Sequence, residues 1–208
     1  MKLTSVILAG GQNKRMDGTP KWELKVGTET MLQRSIRRLK GISEEIIIVS
    51  GGSYHFDIVN NNTNVKLIYD RTPYLGPLNG IYTALKDSNG YYHFVIAADM
   101  PFFSTDLASF MFKTAVEKQM DLVIPMWKNQ PQPLHGIYSK QVLQSIESDL
   151  KEKKLGLIKW LIEQKKIYIV EELEVKKFNI NGRTFFNMNY PDEYQQATRW
   201  INEEGKSE

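Results

Sequence analysis

Two adjacent glycines directly after a short apolar run open the most chemically suggestive segment of the chain. It reads Leu8-Ala9-Gly10-Gly11-Gln12-Asn13-Lys14-Arg15-Met16-Asp17-Gly18-Thr19-Pro20-Lys21. Paired glycines let a backbone turn sharply and approach a phosphate with no Cβ in the way. Arg15 and Lys21 would then supply fixed positive charge to a triphosphate. From Gly-Gly alone, a surface turn with solvated charges is an equally good reading. The segment contains no G-x-x-x-x-G-K-[ST], so it is not a P-loop, and no G-x-G-x-x-G, which disfavours a dinucleotide-binding turn. Three other places carry polar groups in suggestive settings. Asp99 follows the apolar run 92–98, where an unpaired buried carboxylate would be costly, so it must reach solvent, reach a cation, or cap a helix ahead of Pro101. Asp70 follows another apolar run and precedes Arg71-Thr72-Pro73, a setting that also suits a turn-forming Asp. Asn187 and Asn189 would face the same way on a strand, or act as paired turn amides before Pro191.

The elements that must position these groups follow from periodicity. Strands are expected at 3–9, 45–50, 65–69, 92–98 and 122–126. Helices are expected at 31–40, 76–86 and 104–118, the last with Ser104 or Thr105 as its cap. This rhythm, with strands apolar on both faces, predicts an α/β fold: a three-layer α/β/α sandwich with a mainly parallel sheet. Ligands bind at the carboxyl ends of the strands in such sheets, which is where Gly10, Asp70 and Asp99 fall. The second half is less regular. Residues 131–138 read as a strand carrying two prolines, hence an edge strand. Helices are expected near 140–148 and 155–166 and a short strand at 167–171. Pro191 opens a C-terminal helix reaching about residue 202.

Composition narrows the classes. The 208 residues carry 27 Lys+Arg against 24 Asp+Glu, with 41% hydrophobic and 25% charged residues, as in an ordinary folded domain. Residues 1–40 hold nine basic and three acidic side chains, so positive charge concentrates where an anionic ligand would be favoured. Arg34, Arg37, Arg38 and Lys40 read as a solvated helix face, and the modest overall charge argues against nucleic acid as partner. The absence of Cys excludes disulfides and thiolate metal sites, and His55, His93 and His135 lie too far apart to suggest a zinc site. No apolar run approaches a membrane span, and the N-terminus lacks signal-peptide features, so a cytoplasmic protein is expected. His93 reads as a core residue, while His135 is left open to a substrate-facing role. Of the four tryptophans only Trp22, beside Lys21, is a candidate stacking platform.

The wider pattern Leu8-Ala9-Gly10-Gly11-x-x-x-Arg15-Met16-x-Gly18-x-x-Lys21 resembles the signature of nucleotidyltransferases with a Rossmann-like, nucleotide-diphospho-sugar transferase-like fold. Within them it looks most like the molybdenum cofactor guanylyltransferases. The resemblance continues in order along the chain. Its further landmarks are Asp70 with Gly76-Pro77-Leu78-Asn79-Gly80-Ile81, Ala97-Ala98-Asp99-Met100-Pro101, Gln132-Pro133-Leu134-His135-Gly136-Ile137-Tyr138, and Phe186-Asn187-Met188-Asn189-Tyr190-Pro191-Asp192. It implies one nucleotidyltransferase domain, with a nucleotide-binding half at 1–126 and an acceptor-binding half at 127–208. It implies transfer of GMP from GTP to the phosphate of molybdopterin with release of pyrophosphate. Leu8, Ala9, Gly10, Gly11, Lys21, Asp70, Gly76, Pro77 and Asp99 would surround the nucleotide, and Asp99 would bind Mg²⁺. Arg15, Lys21 and Asp99 would be catalytic, and Asn187 and Asn189 would lie on the acceptor side near the metal. Asp70 would read the base, since a carboxylate can accept the N1–H and exocyclic amine of guanine. No membrane partner is expected; the oligomeric state stays open, a monomer being compatible.

The chain departs from the family pattern in three places. Asp17 stands where Gly is usual, and Pro20 where Asp is usual. Val49-Ser50-Gly51-Gly52 ends the second strand where an Asn commonly meets guanine. Gly10 favours guanine, because related cytidylyltransferases tend to carry Ala there. A cytidylyl- or sugar-phosphate nucleotidyltransferase and a catalytically silent nucleotide-binding module are the alternatives.

Overall fold

The computed structural model describes residues 2–10, 20–52, 63–70, 72, 75–179 and 182–204. In chain order the elements are β1 (Leu3–Leu8), β2 (Lys25–Val26), β3 (Glu29–Thr30), α1 (Met31–Leu39), β4 (Glu45–Ser50), β5 (Val65–Tyr69), α2 (Pro77–Asp87), β6 (Tyr92–Ala97) and α3 (Thr105–Lys118). There follow β7 (Leu122–Trp127), β8 (Gln130–Pro131), β9 (His135–Ser139), α4 (Leu143–Lys151), α5 (Leu157–Ile162), β10 (Ile167–Val170), α6 (Glu172–Val175) and α7 (Pro191–Glu204).

β1 is apolar on both faces and therefore needs neighbours on both edges and helices over both faces. It has all four. The main sheet runs β10-β7-β9-β6-β1-β4-β5, with β8 attached to β7. β1 pairs in parallel with β4 and β6, β4 with β5, and β10 with β7. Successive side chains alternate between the layers, as strand geometry requires. Ile7, Ile46, Ile48, Phe94 and Ile96 enter the core beneath α1 and α3 with Leu32, Ile36, Leu107 and Met111. Val6, Ile47 and Val95 point the other way, into the core beneath α2, α4 and α5 with Leu78, Ile81, Ile146 and Trp160. The fold is the expected three-layer α/β/α sandwich with a mostly parallel sheet.

Local signals set the helix starts. Thr30 and Gln33 form a reciprocal capping box at α1, with Gln33 N–H on Thr30 Oγ1 at 3.2 Å and Thr30 N–H on Gln33 Oε1 at 2.8 Å. Ser104 caps α3 by accepting from Leu107 N–H at 3.1 Å. Gly76 has φ of +87°, in the left-handed region that favours glycine, and Pro77 follows as the first helical residue of α2.

The strand expected at 131–138 differs in extent and position. β9 starts at His135, beyond both prolines, and lies inside the sheet, antiparallel to β6 and β7. Pro131 falls in the two-residue β8 instead. With no proline inside it, β9 can donate on both edges, so the reason for an edge position disappears. The helices of the second half are also displaced, to 143–151 and 157–162. A third, smaller core of Val26, Met31, Phe102, Met188 and Ala197 joins the β2–β3 hairpin, the turn after Asp99 and α7.

Candidate functional site

Parallel pairing brings the carboxyl ends of β1, β4, β5 and β6 to one rim of the sheet. The ladder runs slightly past the strands. Ala9 N–H donates to Val49 O at 2.8 Å, Ala98 N–H to Leu8 O at 3.1 Å and Asp70 N–H to Ser50 O at 2.8 Å. Gly10, Asp70 and Asp99 thereby lie within two residues of neighbouring strand ends. Among the described residues, a Cβ placed on Gly10 would meet Gly51 N, at 3.8 Å, an ordinary contact. The start of α2 lies against the same rim: a Cβ on Gly80 would stand 3.1 Å from Leu8 Cδ2, so glycine lets the helix approach β1 closely. Gly76 and Pro77 are exposed at its entrance. Gly11 and Arg15, like Lys14, Asp17 and Gly18, lie outside the described residues.

Three of the expected residues meet. Lys21 Nζ donates to Asp99 Oδ2 at 2.7 Å and to Asn189 Oδ1 at 2.8 Å. Each partner is held by its own neighbours. Lys21 sits on a short 3-10 turn whose Trp22 is buried in the main core. Asp99 follows β6, and its backbone carbonyl accepts from Met188 N–H at 3.0 Å. The N–H groups of Asn189 and Tyr190 donate to Glu193 Oε2, in the first turn of α7, at 2.5 and 2.9 Å. The Lys21 and Asp99 side chains keep 21% and 18% of their exposure, so solvent and small ligands reach the cluster. Two hard oxygen donors thus converge on one cation, and that cation is the chain's own ammonium. Asp99 does not serve as a helix cap; Ser104 does. Among the described residues no group of three or more His, Cys, Asp and Glu could hold a metal. An ion at this cluster would complete its coordination with water and with substrate oxygens, as magnesium often does.

Asp70 has a structural task at the rim. Its Oδ1 accepts from Asn79 Nδ2 and from Thr83 Oγ1, the latter at 3.1 Å, which ties β5 to the first turns of α2. Half-burial raises its carboxyl above the usual range, with the hydrogen bonds of Thr83, Thr72 and Asn79 opposing the shift. Asn187 does not join Asn189. Residues 185–189 form no strand, and the Asn187 amide donates back to Phe185 O at 3.4 Å.

Several side chains stand elsewhere than expected. Trp22 packs in the core and offers no stacking face. His135 does not face a substrate: it is fully buried against Phe94 and Phe185, and its Nε2 accepts from Ser104 N–H at 3.1 Å. Burial pushes its pKa down to about 3. His93 is a hydrogen-bonded core residue, as expected, between Ser88 Oγ and Tyr138 O. The basic face of α1 is not simply solvated. Arg34 is buried and Arg38 partly so, both donating to carbonyls of the turn after Asp99, while Arg37 pairs with Glu29. The spacing Met31, Arg34, Arg38 carries the signal for this, since residues three and seven apart share a helix face with a buried methionine. Glu193 had no such signal beyond its place two residues after Pro191.

The model of the MobA-like NTP transferase domain matches residues 5–167. The chain is 31% identical over 208 residues to a probable molybdenum cofactor guanylyltransferase of Natranaerobius thermophilus, covering 99% of this chain and 98% of that one. It is 33% identical over 195 residues to a protein of the same name from a Geobacillus species, covering 93% and 96%. Among solved structures it is similar to the molybdopterin-guanine dinucleotide biosynthesis protein A of Archaeoglobus fulgidus, with a TM-score of 0.82 at 20% identity over 96% of this chain and 99% of that one. It is also similar to a 4-diphosphocytidyl-2C-methyl-D-erythritol synthase of Anaerococcus prevotii, with a TM-score of 0.66 at 14% identity, covering 97% and 96%. At these identities the structures speak for the Rossmann-like fold alone. Among the described residues no helix is long and apolar enough to cross a membrane.

Proposed function

The chain belongs to the MobA-like NTP transferase family and is a nucleotidyltransferase; from that premise we propose that it transfers GMP from GTP to the phosphate of molybdopterin. The observation that carries the reading is the meeting of Lys21, Asp99 and Asn189 at the carboxyl rim of a parallel sheet, in a chain whose full-length relatives bear guanylyltransferase names.

In this reaction an oxygen of the molybdopterin phosphate bonds to the α-phosphorus of GTP. The bond from that phosphorus to the oxygen bridging the β-phosphate breaks, and pyrophosphate leaves with the electron pair. The attacking oxygen is already anionic, so no side chain serves as nucleophile. The chain contributes positioning and charge stabilisation. Leu8, Ala9 and Gly10 present backbone at the rim, with Gly11 and Arg15 assigned to the same loop. The absence of a Cβ at Gly10 leaves room for a purine. Gly76 and Pro77 border the nucleotide from the start of α2. Asp70 keeps acceptor capacity for guanine beyond the bonds that anchor α2, because a carboxylate offers about four lone-pair sites.

Asp99 and Asn189 fit a Mg²⁺ ion: both present oxygen, and both already hold a cation in the form of the Lys21 ammonium. When bound, the ion supplies charge neutralisation on the triphosphate. Lys21 then exchanges its two side-chain oxygens for phosphate oxygens. Residues 1–126 supply the nucleotide-binding part and 127–208, through Asn189, the acceptor-facing part. The cytoplasm is the assigned compartment.

The test is pyrophosphate release with molybdopterin and each of the four NTPs, with and without Mg²⁺. Release with GTP and Mg²⁺ alone is expected. Release with CTP, or with a sugar phosphate as acceptor, overturns the assignment. Tight GTP binding with no release identifies a silent binding module.

A further inference from the structure

Asp99 stands at the head of a turn, residues 99–103, that two arginines of α1 grip by its carbonyls. Arg34 Nε donates to Pro101 O at 3.2 Å. Arg38 Nη2 donates to Phe103 O at 2.7 Å, with its guanidinium 5.1 Å from the centre of the Phe103 ring. Arg34 is only 8% exposed, a rare setting for an arginine and one that demands partners of this kind. Pro101 and Phe103 are themselves buried, so their carbonyls have little access to water. The turn is held from other directions as well. Asp99 O accepts from Met188 N–H at 3.0 Å, and Ser104 N–H donates to His135. The backbone that follows the Asp99 carboxylate is thus fixed by donors from a helix far from it in sequence.

We propose that Arg34 is a positioning residue for Asp99. By holding Pro101 O it fixes the peptide two residues beyond the carboxylate and keeps Asp99 Oδ2 aimed at the point it shares with Asn189 Oδ1. Arg38 secures the far end of the same turn. This rests on the reading of Asp99 as a metal ligand. Without the tether, the turn must be ordered anew each time an ion binds. The loss falls on metal affinity, while turnover at saturating metal changes little.

The experiment compares Arg34→Met, which keeps length and loses the donors, with Arg34→Lys, which keeps one donor group. Arg37→Met is the control: it removes the same charge from the same helix, at a side chain paired with Glu29 at 2.8 Å and away from the turn. Mn²⁺ binding to the nucleotide-free protein is read from the electron paramagnetic resonance signal of free Mn²⁺. The Mg²⁺ dependence of pyrophosphate release is read separately. Arg34→Met is expected to weaken Mn²⁺ binding about 10-fold, as loss of groups that orient a ligand does. Its half-saturating Mg²⁺ should rise by a similar factor, with kcat within about 2-fold of native. Arg34→Lys should recover most of the affinity, and Arg37→Met should match the native protein. Native Mn²⁺ affinity in folded Arg34→Met overturns the proposal. So does equal weakening by Arg37→Met, which would make the effect one of charge and not of tethering. If Arg34→Met fails to fold, Arg38→Met takes its place with about a 10-fold loss expected, and native affinity there overturns the proposal. Intact Mn²⁺ binding without GTP turnover in the native protein would sink the guanylyltransferase reading and leave this one standing.

Discussion

Lys21→Met removes an ammonium that stands 2.7 Å from Asp99 Oδ2 and 2.8 Å from Asn189 Oδ1. Two unit charges ~4 Å apart attract by about 4 kcal/mol at an effective dielectric of ~20. Desolvation takes back part of that. With side chains 21% and 18% exposed, the pair lies between an exposed pair, worth ~0.2–1 kcal/mol, and a buried pair, costing ~3–5 kcal/mol to break. A net value of about 1.4 kcal/mol corresponds to a factor of ten. A divalent ion entering the native site must displace the ammonium and give up that energy. Nucleotide-free Lys21→Met should therefore bind Mn²⁺ about 10-fold more tightly than the native protein. Its turnover should move in the opposite direction, falling by about 10²-fold or more, because the charge that meets the triphosphate has gone. Lys25→Met, at an exposed site on the neighbouring β2, controls for net charge and should change Mn²⁺ affinity less than about 2-fold. Asp99→Ala in either background should abolish the binding. The assay is Mn²⁺ titration followed by resonance of the free ion, beside pyrophosphate release at saturating GTP. Unchanged or weaker Mn²⁺ binding in a folded Lys21→Met protein would refute the exchange of Lys21 for a metal ion.

Gly10→Ala should fold normally, since among the described residues its Cβ meets Gly51 N at an ordinary 3.8 Å. It should narrow the preference for GTP over CTP, measured as the ratio of kcat/KM, and an unchanged ratio removes Gly10 from base selection. Asp70→Asn separates anchoring from recognition. Burial raises the Asp70 carboxyl, so the charged form is the destabilised one and Asp70 favours folding more as pH falls through that raised value. The amide retains an acceptor for Asn79 and Thr83, so thermal stability at pH 7 should hold or rise. GTP affinity should drop about 10-fold; native affinity would end the base-reading role. Burial lowers His93 to about 4 and His135 to about 3, against ~6.5 in the unfolded chain. Unfolding then takes up protons that the folded protein refuses. Stability should fall as pH drops from ~6.5 toward 4, by about 3 kcal/mol or more, and level off below the folded values. Urea unfolding across that range reads it, and a flat profile would mean the imidazoles do not stay neutral inside.

Local signals made much of this legible. The apolar runs at 45–50 and 65–69 mark strands to the residue, and Pro191 marks the start of α7, because burial on both faces and a missing N–H each act within a few residues. The residues of the rim could be named from the motif order, but their meeting could not be seen. Lys21 lies 78 residues from Asp99 and 168 from Asn189, and only tertiary packing closes those distances. Two prolines near β9 point to an edge strand, whereas its position is set by pairing with β6 and β7. Trp22 is a stacking candidate only through its neighbour Lys21, and nothing near His135 in sequence fixes its direction. The path of the backbone turns both inward.

The third core has a consequence for how the protein is made. Met188 and Ala197 join Val26, Met31 and Phe102, so α7 and the residues just before it grip segments translated long before them. Among the described residues every strand lies before residue 171, and the main sheet draws its strand pairing from that stretch. A nascent chain can therefore build the rim, with Asp99 in place, before Asn189 exists. Lys21 then faces a carboxylate with no amide beside it. A chain that stops before Asn189 can form the sheet and still cannot assemble its cation cluster.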